Sequence, residues 1–436
     1  MSGAAAIICL VGPQDQVIND EPTKSLWNKT YATHTHYAYH VTKLQNNGVT
    51  FREGQQLEVS AHGGGDLLSS LYGEYQLPAL APNTAASPNA THAHYVNSVG
   101  FAIAHAVWLM AGVQKCELKH CRWMEAMMPY FYPPGARFEE LVGKLDDESA
   151  LIAAARSDQR IVWPILVSNT RYEHNALPLV AAHHTTAKYV FRFNMIRDFT
   201  VNVGGNVSDI PYKFGTSTPI TSNDINFNVY GTNILLDDAE RGLILHSDLK
   251  HLTTDTIENT FTITSLGNFE NSTLNLNHPT KYFIWFMQRD QAMNSMGAEP
   301  GKVGSKDFFY YGANHGGETL YQCYLKFNSQ DIWDKDVVQP WFLRYVKAWE
   351  AFPYCDDGKG GPKYIWGFGP DCDQWKAVKT VNMSRIDSIR FGGINNCTAS
   401  PGTAFTSATI FMYTEVEQLL ATFGGNMGSI FGSASS

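Results

Sequence analysis

The sequence predicts an all-β protein, built from antiparallel sandwiches or barrels with a few short helices in the loops. Aromatic residues make up 13% of the chain, and this surplus favours half-buried strands over helices. Short runs also alternate apolar and polar residues, as in Ile225–Val229, which is the period of a half-buried strand. Turn residues separate such runs at intervals of roughly 10 to 25 residues, a spacing typical of sandwiches and barrels.

Composition sets the broad class of the protein. The chain has 436 residues, enough for two or three domains of roughly 100–200 residues each. Apolar residues make up 44% and charged residues 17%, a balance that excludes a disordered chain. The formal net charge is −9 at pH 7, whereas proteins that bind the phosphates of nucleic acids carry positively charged surfaces. We therefore expect no direct binding to nucleic acid.

The cysteines and the first residues bear on the compartment. The seven cysteines are odd in number and include no Cys-x-x-Cys pair, which favours buried thiols in a reducing compartment. No basic residue precedes the short apolar run near the N-terminus, so we expect no secretory signal.

Three further segments predict strands. Phe191–Met195 and Thr260–Thr264 alternate apolar and polar residues, so each is expected to have one buried face. Tyr282–Met287 is apolar throughout, and such a run fits a strand that is covered on both faces.

Helical segments are few. Cys121–Met128 predicts a helix that ends before Pro129, because proline interrupts helices. Asp146–Arg156 opens with acidic residues and ends with arginine, as the helix dipole favours. Asp237–His246 predicts a short helix just past the midpoint of the chain, and we interpret it as a connector between domains.

One C-terminal segment is ambiguous. Glu415–Thr422 has a helical composition, whereas the neighbouring Ile410–Tyr413 favours a strand.

Three segments predict long loops because they consist mostly of turn residues: 82–91, 214–224 and 356–362.

The histidines raise the hypothesis of a metal site. His34, His36 and His40 could share one face of a strand and direct three imidazoles to one ion. Cupin-type oxygenases follow such a pair of histidines with a glutamate, and no carboxylate stands at that distance here. Ordinary strand or loop histidines are therefore the favoured interpretation, and we predict no metal ligands.

Aromatic residues raise a second hypothesis, that of a sugar-binding surface. Aromatic side chains can stack on sugars, although they more often form cores and interfaces. The residues in question are Trp341, Tyr345, Trp349, Trp366 and Trp375.

Enzymatic motifs are missing from the sequence. It holds neither the Gly-x-Ser-x-Gly elbow of hydrolases nor the His-Glu-x-x-His pair of metalloproteases. Gly297–Val303 resembles a phosphate-binding loop but is one residue short and has valine where serine or threonine must hold magnesium. We predict no catalytic residues and no cofactor.

Asn-x-Ser/Thr triplets mark candidate glycosylation sites. Without a secretory route such triplets carry little weight, and Asn89 alone lies in a predicted exposed loop. The candidates are Asn28, Asn89, Asn206, Asn271, Asn382 and Asn396.

Several motifs together resemble one protein family. The opening segment Val11–Ala38 contains Gln14, Asp15 and Pro22, and two later segments, Arg160–Val167 and Asn175–Val180, follow in order. The most specific segment is Asn275–Tyr282, with Asn277, His278, Pro279, Thr280, Lys281 and Tyr282. Two segments follow towards the C-terminus. They are Asn382–Asp387, with Ser384, Arg385, Ile386 and Asp387, and then Gly424–Phe431. In this order they resemble the major capsid proteins of nucleocytoplasmic large DNA viruses, of the chlorella-virus and iridovirus type.

The resemblance implies two consecutive jelly-roll sandwiches, each of eight antiparallel strands. It also implies that Glu415–Thr422 is a strand. The expected division of the chain is an N-terminal arm at 1–20, a first jelly roll at 21–236, a connector at 237–249 and a second jelly roll at 250–436.

The resemblance further implies a structural function. Such a chain is expected to form homotrimers, which are pseudo-hexameric capsomers that tile the icosahedral shell of a large double-stranded DNA virus. The expected partners are other copies, neighbouring capsomers, minor capsid and penton proteins and, through minor proteins, an inner membrane layer. The expected location is the virion capsid, assembled in the host cytoplasm. The alternative function is that of a jelly-roll carbohydrate-binding or metal-dependent, cupin-like protein.

Overall fold

Two sandwiches of antiparallel sheets follow one another along the chain. The computed structural model describes residues 35–44, 51–62, 64–132, 136–145, 148–205, 209–271, 274–289, 318–354, 361–373, 379–396 and 407–431.

The first sandwich pairs the sheet β1-β13-β3-β8, with β9 added beside β3, and the sheet β2-β10-β6-β7. Two small ribbons, β11-β5 and β12-β4, accompany them. The strands are β1 (Tyr37–Lys43), β2 (Gln56–Ser60), β3 (Leu67–Leu77), β4 (Leu80–Ala81), β5 (His92–Tyr95), β6 (Ala104–Ala111), β7 (Gln114–His120), β8 (Gln159–Pro164), β9 (Leu177–Pro178), β10 (Ala187–Phe193), β11 (Thr200–Val203), β12 (Tyr212–Lys213) and β13 (Asn226–Leu236).

The second sandwich pairs the sheet β14-β22-β16-β19, extended by β20 and β23, with the sheet β15-β21-β17-β18. Its strands are β14 (Leu249–Ile263), β15 (Gly267–Asn271), β16 (Pro279–Arg289), β17 (Leu320–Phe327), β18 (Gln330–Asp331), β19 (Tyr364–Gly367), β20 (Val381–Asn382), β21 (Ile389–Asn395), β22 (Ala408–Phe423) and β23 (Asn426–Ser429).

Both sandwiches have the same strand order. Among the eight main strands of each, counted along the chain, one sheet holds the first, eighth, third and sixth. The facing sheet holds the second, seventh, fourth and fifth. This arrangement is the jelly roll. The predicted pair of eight-stranded jelly rolls is confirmed, although the two halves show no repeat in sequence.

Short helices occupy the connections between strands. A π-helical turn spans Phe342–Lys347, and 3₁₀ turns span Glu173–Asn175, Ser222–Asp224 and Met383–Arg385. The α-helices are α1 (Val99–Ala102), α2 (Cys121–Phe131), α3 (Ala136–Leu141), α4 (Glu148–Ala155), α5 (Ser168–Arg171), α6 (Ile196–Phe199), α7 (Asp238–His246) and α8 (Ala348–Ala351). No helix in these described ranges is long and apolar enough to cross a bilayer.

The predicted helices are largely confirmed, with one wrong boundary. The α7 helix joins the sandwiches, and the Asp237 carboxylate caps it by accepting from the backbone N–H of Asp238 at 2.8 Å. The α2 helix continues through Pro129 to Phe131, so the predicted end before the proline is wrong. Because Pro129 lies in the last turn, it removes only one helical hydrogen bond, and the Tyr132 N–H still donates to the Met128 carbonyl at 3.1 Å.

The helical composition of residues 415–422 is overruled. These residues belong to β22, which pairs with β14 on one side and β16 on the other. Two ladders of inter-strand hydrogen bonds outweigh an intrinsic preference that differs by less than about 1 kcal/mol per residue.

The predicted strands are confirmed, and β16 lies between two cores. Its residues from Thr280 to Arg289 are buried. Tyr282, Ile284 and Phe286 pack into the core of the first sandwich. The alternating Phe283, Trp285 and Met287 pack into the core of the second. The second sandwich therefore presents one face of this sheet to the first sandwich, and Tyr37–Ser436 forms one compact unit.

We expect Trp285→Ala to lower the free energy of unfolding by about 3–5 kcal/mol, because it leaves a cavity in the second core. Urea titration followed by far-UV circular dichroism measures this. Trp285 is 1% exposed, whereas Phe214 is 59% exposed, so Phe214→Ala is the control and is expected to change stability by less than about 0.5 kcal/mol. Equal effects of the two variants would contradict the placement of β16.

Candidate functional site: the junction between the sandwiches

The junction begins where β7 of the first sandwich lies along β14 of the second. The Leu118 N–H donates to the Asp255 carboxylate at 2.8 Å, and the Thr256 hydroxyl donates to the Leu118 carbonyl at 2.9 Å. Asp255 and Thr256 are both fully buried. Side chains of one strand therefore satisfy the backbone of the other, as buried polar groups require.

A buried group of charged and polar side chains forms the centre of the junction. We define this junction cluster as Glu117, Lys119, Ser168, Arg171, Thr254, Asp255 and Glu415. The Lys119 ammonium lies 3.3 Å from the Glu415 carboxylate and 3.7 Å from that of Glu117, and it donates to the Thr254 hydroxyl at 2.7 Å. The Arg171 guanidinium donates to the same Glu415 oxygen at 3.0 Å. Cations of the first sandwich thus neutralise a carboxylate of the second.

The α5 helix completes the cluster from the first sandwich. The Ser168 backbone N–H and hydroxyl both donate to one Glu117 oxygen, at 2.8 and 2.9 Å. The Thr254 N–H of β14 in turn donates to the Ser168 hydroxyl at 2.7 Å. One serine therefore links a carboxylate of the first sandwich to the backbone of the second.

The two carboxyls of the cluster are shifted in opposite directions. Burial alone would raise the pKa of Glu415, but Lys119, Arg171 and Lys281 hold it far below its usual value. Burial raises the pKa of Glu117 to about 7, although Lys119 and the Ser168 hydrogen bonds oppose that rise. Glu415 is accordingly the anion that depends on the junction cations.

The family-like segment at 275–282 supplies part of this environment. Thr280, Lys281 and Tyr282 lie in β16 and are buried. Burial lowers the pKa of the Lys281 ammonium, and the nearby Glu415 partly restores it. Asn277 and His278 lead into the strand and Pro279 is its first residue, and none of the three is part of the cluster.

The other family-like residues are not brought to this cluster. The Asn382 side chain accepts from the N–H and the hydroxyl of Ser384, at 3.1 and 2.7 Å, and thereby caps the turn at 383–385. Arg385 and Asp387 are exposed nearby, whereas Ile386 is partly buried and packs against the core of the second sandwich. The segment with Gln14, Asp15 and Pro22 lies outside the described residues. The role of all these residues stays a prediction.

Among the described residues, the histidines singled out in the sequence form no converging group. His36 and His40 are exposed, and His34 lies outside the described residues. Within the described ranges a different group converges: His105, His120 and Glu258, with one ligand atom of each within 4.8 Å of the others. Sequence spacing could not reveal this group, since its members come from β6, β7 and β14 of two different sandwiches.

Burial lowers the pKa of both imidazoles of this group. It lowers the pKa of His120 to about 4, although Glu258 opposes the shift. It also lowers the pKa of His105.

The aromatic residues singled out in the sequence divide into two environments. Trp341, Tyr345 and Trp349 are exposed, at 53%, 46% and 71%, and a spacing of four residues places them on one face of the helical segment at 341–351. We call these three residues the aromatic stripe. Trp366 instead packs against Trp333, with ring centroids 4.6 Å apart, and Trp375 lies outside the described residues.

The candidate glycosylation sites are dispersed. Asn89 is exposed in a loop, as expected, and Asn382 is exposed but engaged with Ser384. The Asn396 side chain donates to the Glu318 carbonyl at 3.1 Å, and Asn271 ends β15. Asn28 and Asn206 lie outside the described residues. Modification at these sites stays a prediction.

Comparison with known proteins connects this architecture to viral capsids. Residues 25–237 match the family model of the major capsid protein N-terminus. A curated relative, the major capsid protein of Phaeocystis pouchetii virus, is 24% identical over 320 residues, which cover 66% of this chain. The chain spans 59% of the length of that relative.

Solved capsid structures share the double jelly roll with this chain. PBCV-1 VP54, whose crystal structure was fitted into a reconstruction of the virophage Sputnik, superposes with a TM-score of 0.72 at 17% identity, covering 94% of this chain and 100% of VP54. The Faustovirus major capsid protein superposes with a TM-score of 0.69 at 10% identity, covering 96% of both chains. The likeness is therefore one of fold, and it extends beyond the family match into the second sandwich.

We expect Lys119→Met to lower the free energy of unfolding by about 3–5 kcal/mol, because it leaves two buried carboxylates without their shared cation. Chemical denaturation measures this. Lys188→Met is the control, since Lys188 forms a partly exposed pair with Glu58 at 2.8 Å and surface pairs contribute at most about 1 kcal/mol. A Lys119 variant as stable as the control would contradict a structural role for the cluster.

The junction is expected to weaken in acid through Glu415. Its pKa is lowered in the folded chain, so its stabilising contribution is present above the unfolded pKa of about 4.3 and is lost as the pH falls towards the folded value. Unfolding titrations between pH 6 and pH 3 should show this decline in the parent chain and a shallower one in Glu415→Gln. Glu58→Gln, at an exposed carboxylate, should keep the parental slope. Parallel slopes in all three chains would be the contrary result.

Proposed function

We propose that this chain is a major capsid protein, a structural subunit that trimerises into pseudo-hexameric capsomers of a large double-stranded DNA virus. The pair of jelly rolls with one shared strand order carries the proposal. The family match of residues 25–237 and the fold of viral capsid proteins support it. The proposed domain division is the one stated above, with the arm at 1–20 and the connector at 237–249.

The geometry of an icosahedral facet explains why two like sandwiches suit this function. A facet is a hexagonal lattice, and a six-cornered unit fills it. Three copies of a chain with two similar sandwiches place six sandwiches around one threefold axis, with head-to-tail contacts that close the ring. Such obligate interfaces commonly bury about 2,000–5,000 Å².

The junction cluster suits the same function because a capsomer must keep its six sandwiches in fixed relative positions. If the two sandwiches of one chain were joined by a flexible hinge, they would move independently. Here the sheet of β16 belongs to both cores, and ion pairs cross the junction. We infer that the two sandwiches of each subunit move as one body during assembly.

The aromatic stripe supports a contact between copies of this chain. Aromatic residues are enriched in the buried centres of protein interfaces. Leu343 and Ala348 of the same helical segment are buried. They anchor the segment, so the position of the stripe is fixed. We propose that the stripe lies in a contact between subunits or between neighbouring capsomers of the virion shell, which minor capsid and penton proteins complete.

Native mass spectrometry of the purified chain tests the trimer. The expected result is a species of three times 48.5 kDa, and negative-stain micrographs should show particles with six lobes. A chain that remains monomeric at micromolar concentration would overturn the proposed assembly.

The contribution of the stripe is tested separately. A double variant, Trp341→Ser with Trp349→Ser, is expected to weaken self-association by tenfold or more in analytical ultracentrifugation, because interface tryptophans commonly carry about 2 kcal/mol or more. The control is Val113→Ser, an isolated apolar side chain that is 95% exposed. If the double variant associates as the parent does and its trimer is intact, the stripe does not lie in the interface. The proposed trimer would then still hold.

A further inference from the structure

His105, His120 and Glu258 form a second polar group between the two sandwiches. We propose that these three side chains bind one divalent transition-metal ion, of which zinc is the representative, and that the bound ion ties the first sandwich to the second. The site is independent of the proposed capsid function, because it rests on local geometry alone.

The ligand geometry supports the site. Nδ1 of His120 lies 3.6 Å from Oε2 of Glu258, too far for a hydrogen bond. Two ligand atoms of a tetrahedral zinc ion lie about 3.4 Å apart, given metal–ligand distances near 2.1 Å. The ligand atom of His105 lies within 4.8 Å of the other two, so a small side-chain rotation closes the set.

A buried atom without a hydrogen bond points to a ligand. His120 is 9% exposed, and its Nδ1 atom is buried without a hydrogen-bond partner. Buried nitrogen atoms are normally satisfied. This nitrogen faces the carboxylate of Glu258 at a separation that suits a shared ion.

The surroundings hold the carboxylate in place. The Tyr413 hydroxyl donates to Oε1 of Glu258 at 2.7 Å, which leaves Oε2 directed at His120. Outer partners of this kind orient metal ligands and are typical of metal sites. His105 is exposed, and the group lines a cavity of about 80 Å³, which gives an ion a path of entry and leaves room for a water as fourth ligand.

Three positive charges near the group, those of Lys119, Arg122 and Arg192, set a limit on its affinity. Lys119 is engaged by Glu415 in the junction cluster. Arg122 lies over the Phe411 ring at 3.9 Å and donates to the Gln288 side chain at 2.8 Å. Lys119 and Arg122 are thus held by other partners, and Glu258 is the carboxylate that faces the two imidazoles.

The donor set selects the class of ion. Two imidazole nitrogens and one carboxylate oxygen suit zinc and its neighbours among the transition metals, whereas calcium and magnesium prefer oxygen ligands alone. The ligands come from β6, β7 and β14, so the ion would join the same two strands, β7 and β14, that the junction cluster joins.

The test uses the full chain, freed of metal by a chelator and titrated with zinc chloride in a calorimeter. We expect one zinc ion per chain, a raised thermal midpoint, and slower amide hydrogen exchange in β7 and β14. Cobalt(II) chloride should produce the visible absorption bands of a tetrahedral ion. Magnesium chloride should cause none of these changes.

Variants identify the ligands. His105→Ala and Glu258→Gln should each weaken zinc binding at least tenfold while the circular dichroism spectrum and the assembly state stay parental. His92→Ala, at an exposed histidine elsewhere in the first sandwich, should bind zinc as the parent does. Parental binding by both ligand variants would overturn the site, as would zinc binding without protection of β14, because the ion would then lie elsewhere. If the chain is monomeric but binds zinc as described, the proposed capsomer is refuted and the proposed zinc site still holds.

Discussion

The sheet that contains β14, β16 and β22 is shared by two cores, and the rest of the structure depends on this constraint. An ordinary sandwich sheet has one face in the core and one in water. Here the second face is covered by the first sandwich, so any charged side chain on it loses its water. A buried ion is tolerated only when paired and hydrogen-bonded. Glu415 therefore requires Lys119 and Arg171 from the other sandwich.

This pairing gives the junction specificity as well as cohesion. Apolar contact alone would let two sheets slide past one another, since it has little directional preference. A carboxylate that must meet two cations, and a serine that must meet both Glu117 and Thr254, fix one register. The result is a chain whose two sandwiches have one relative placement, which is the property that the proposed capsid function needs.

The strand segments and the three helices singled out in the sequence could be predicted from local patterns. The alternation at 225–229 and the apolar run at 282–287 determine strands with one and two buried faces, and both occur. Local patterns failed at Glu415–Thr422, where pairing on both sides outweighed helical composition. They also failed at Pro129, because the cost of a proline depends on its position within the helix.

The sequence by itself determined the all-β class, the double jelly roll through its resemblance to capsid proteins, and the absence of a basic field. The tertiary structure alone decided which polar residues act together. The pairing of Lys119 with Glu415 joins residues far apart in the sequence, and His105, His120 and Glu258 share no motif. The physical reason is that ion pairs and metal ligands depend on distances in space. Those distances arise only when strands far apart in the chain are packed against one another.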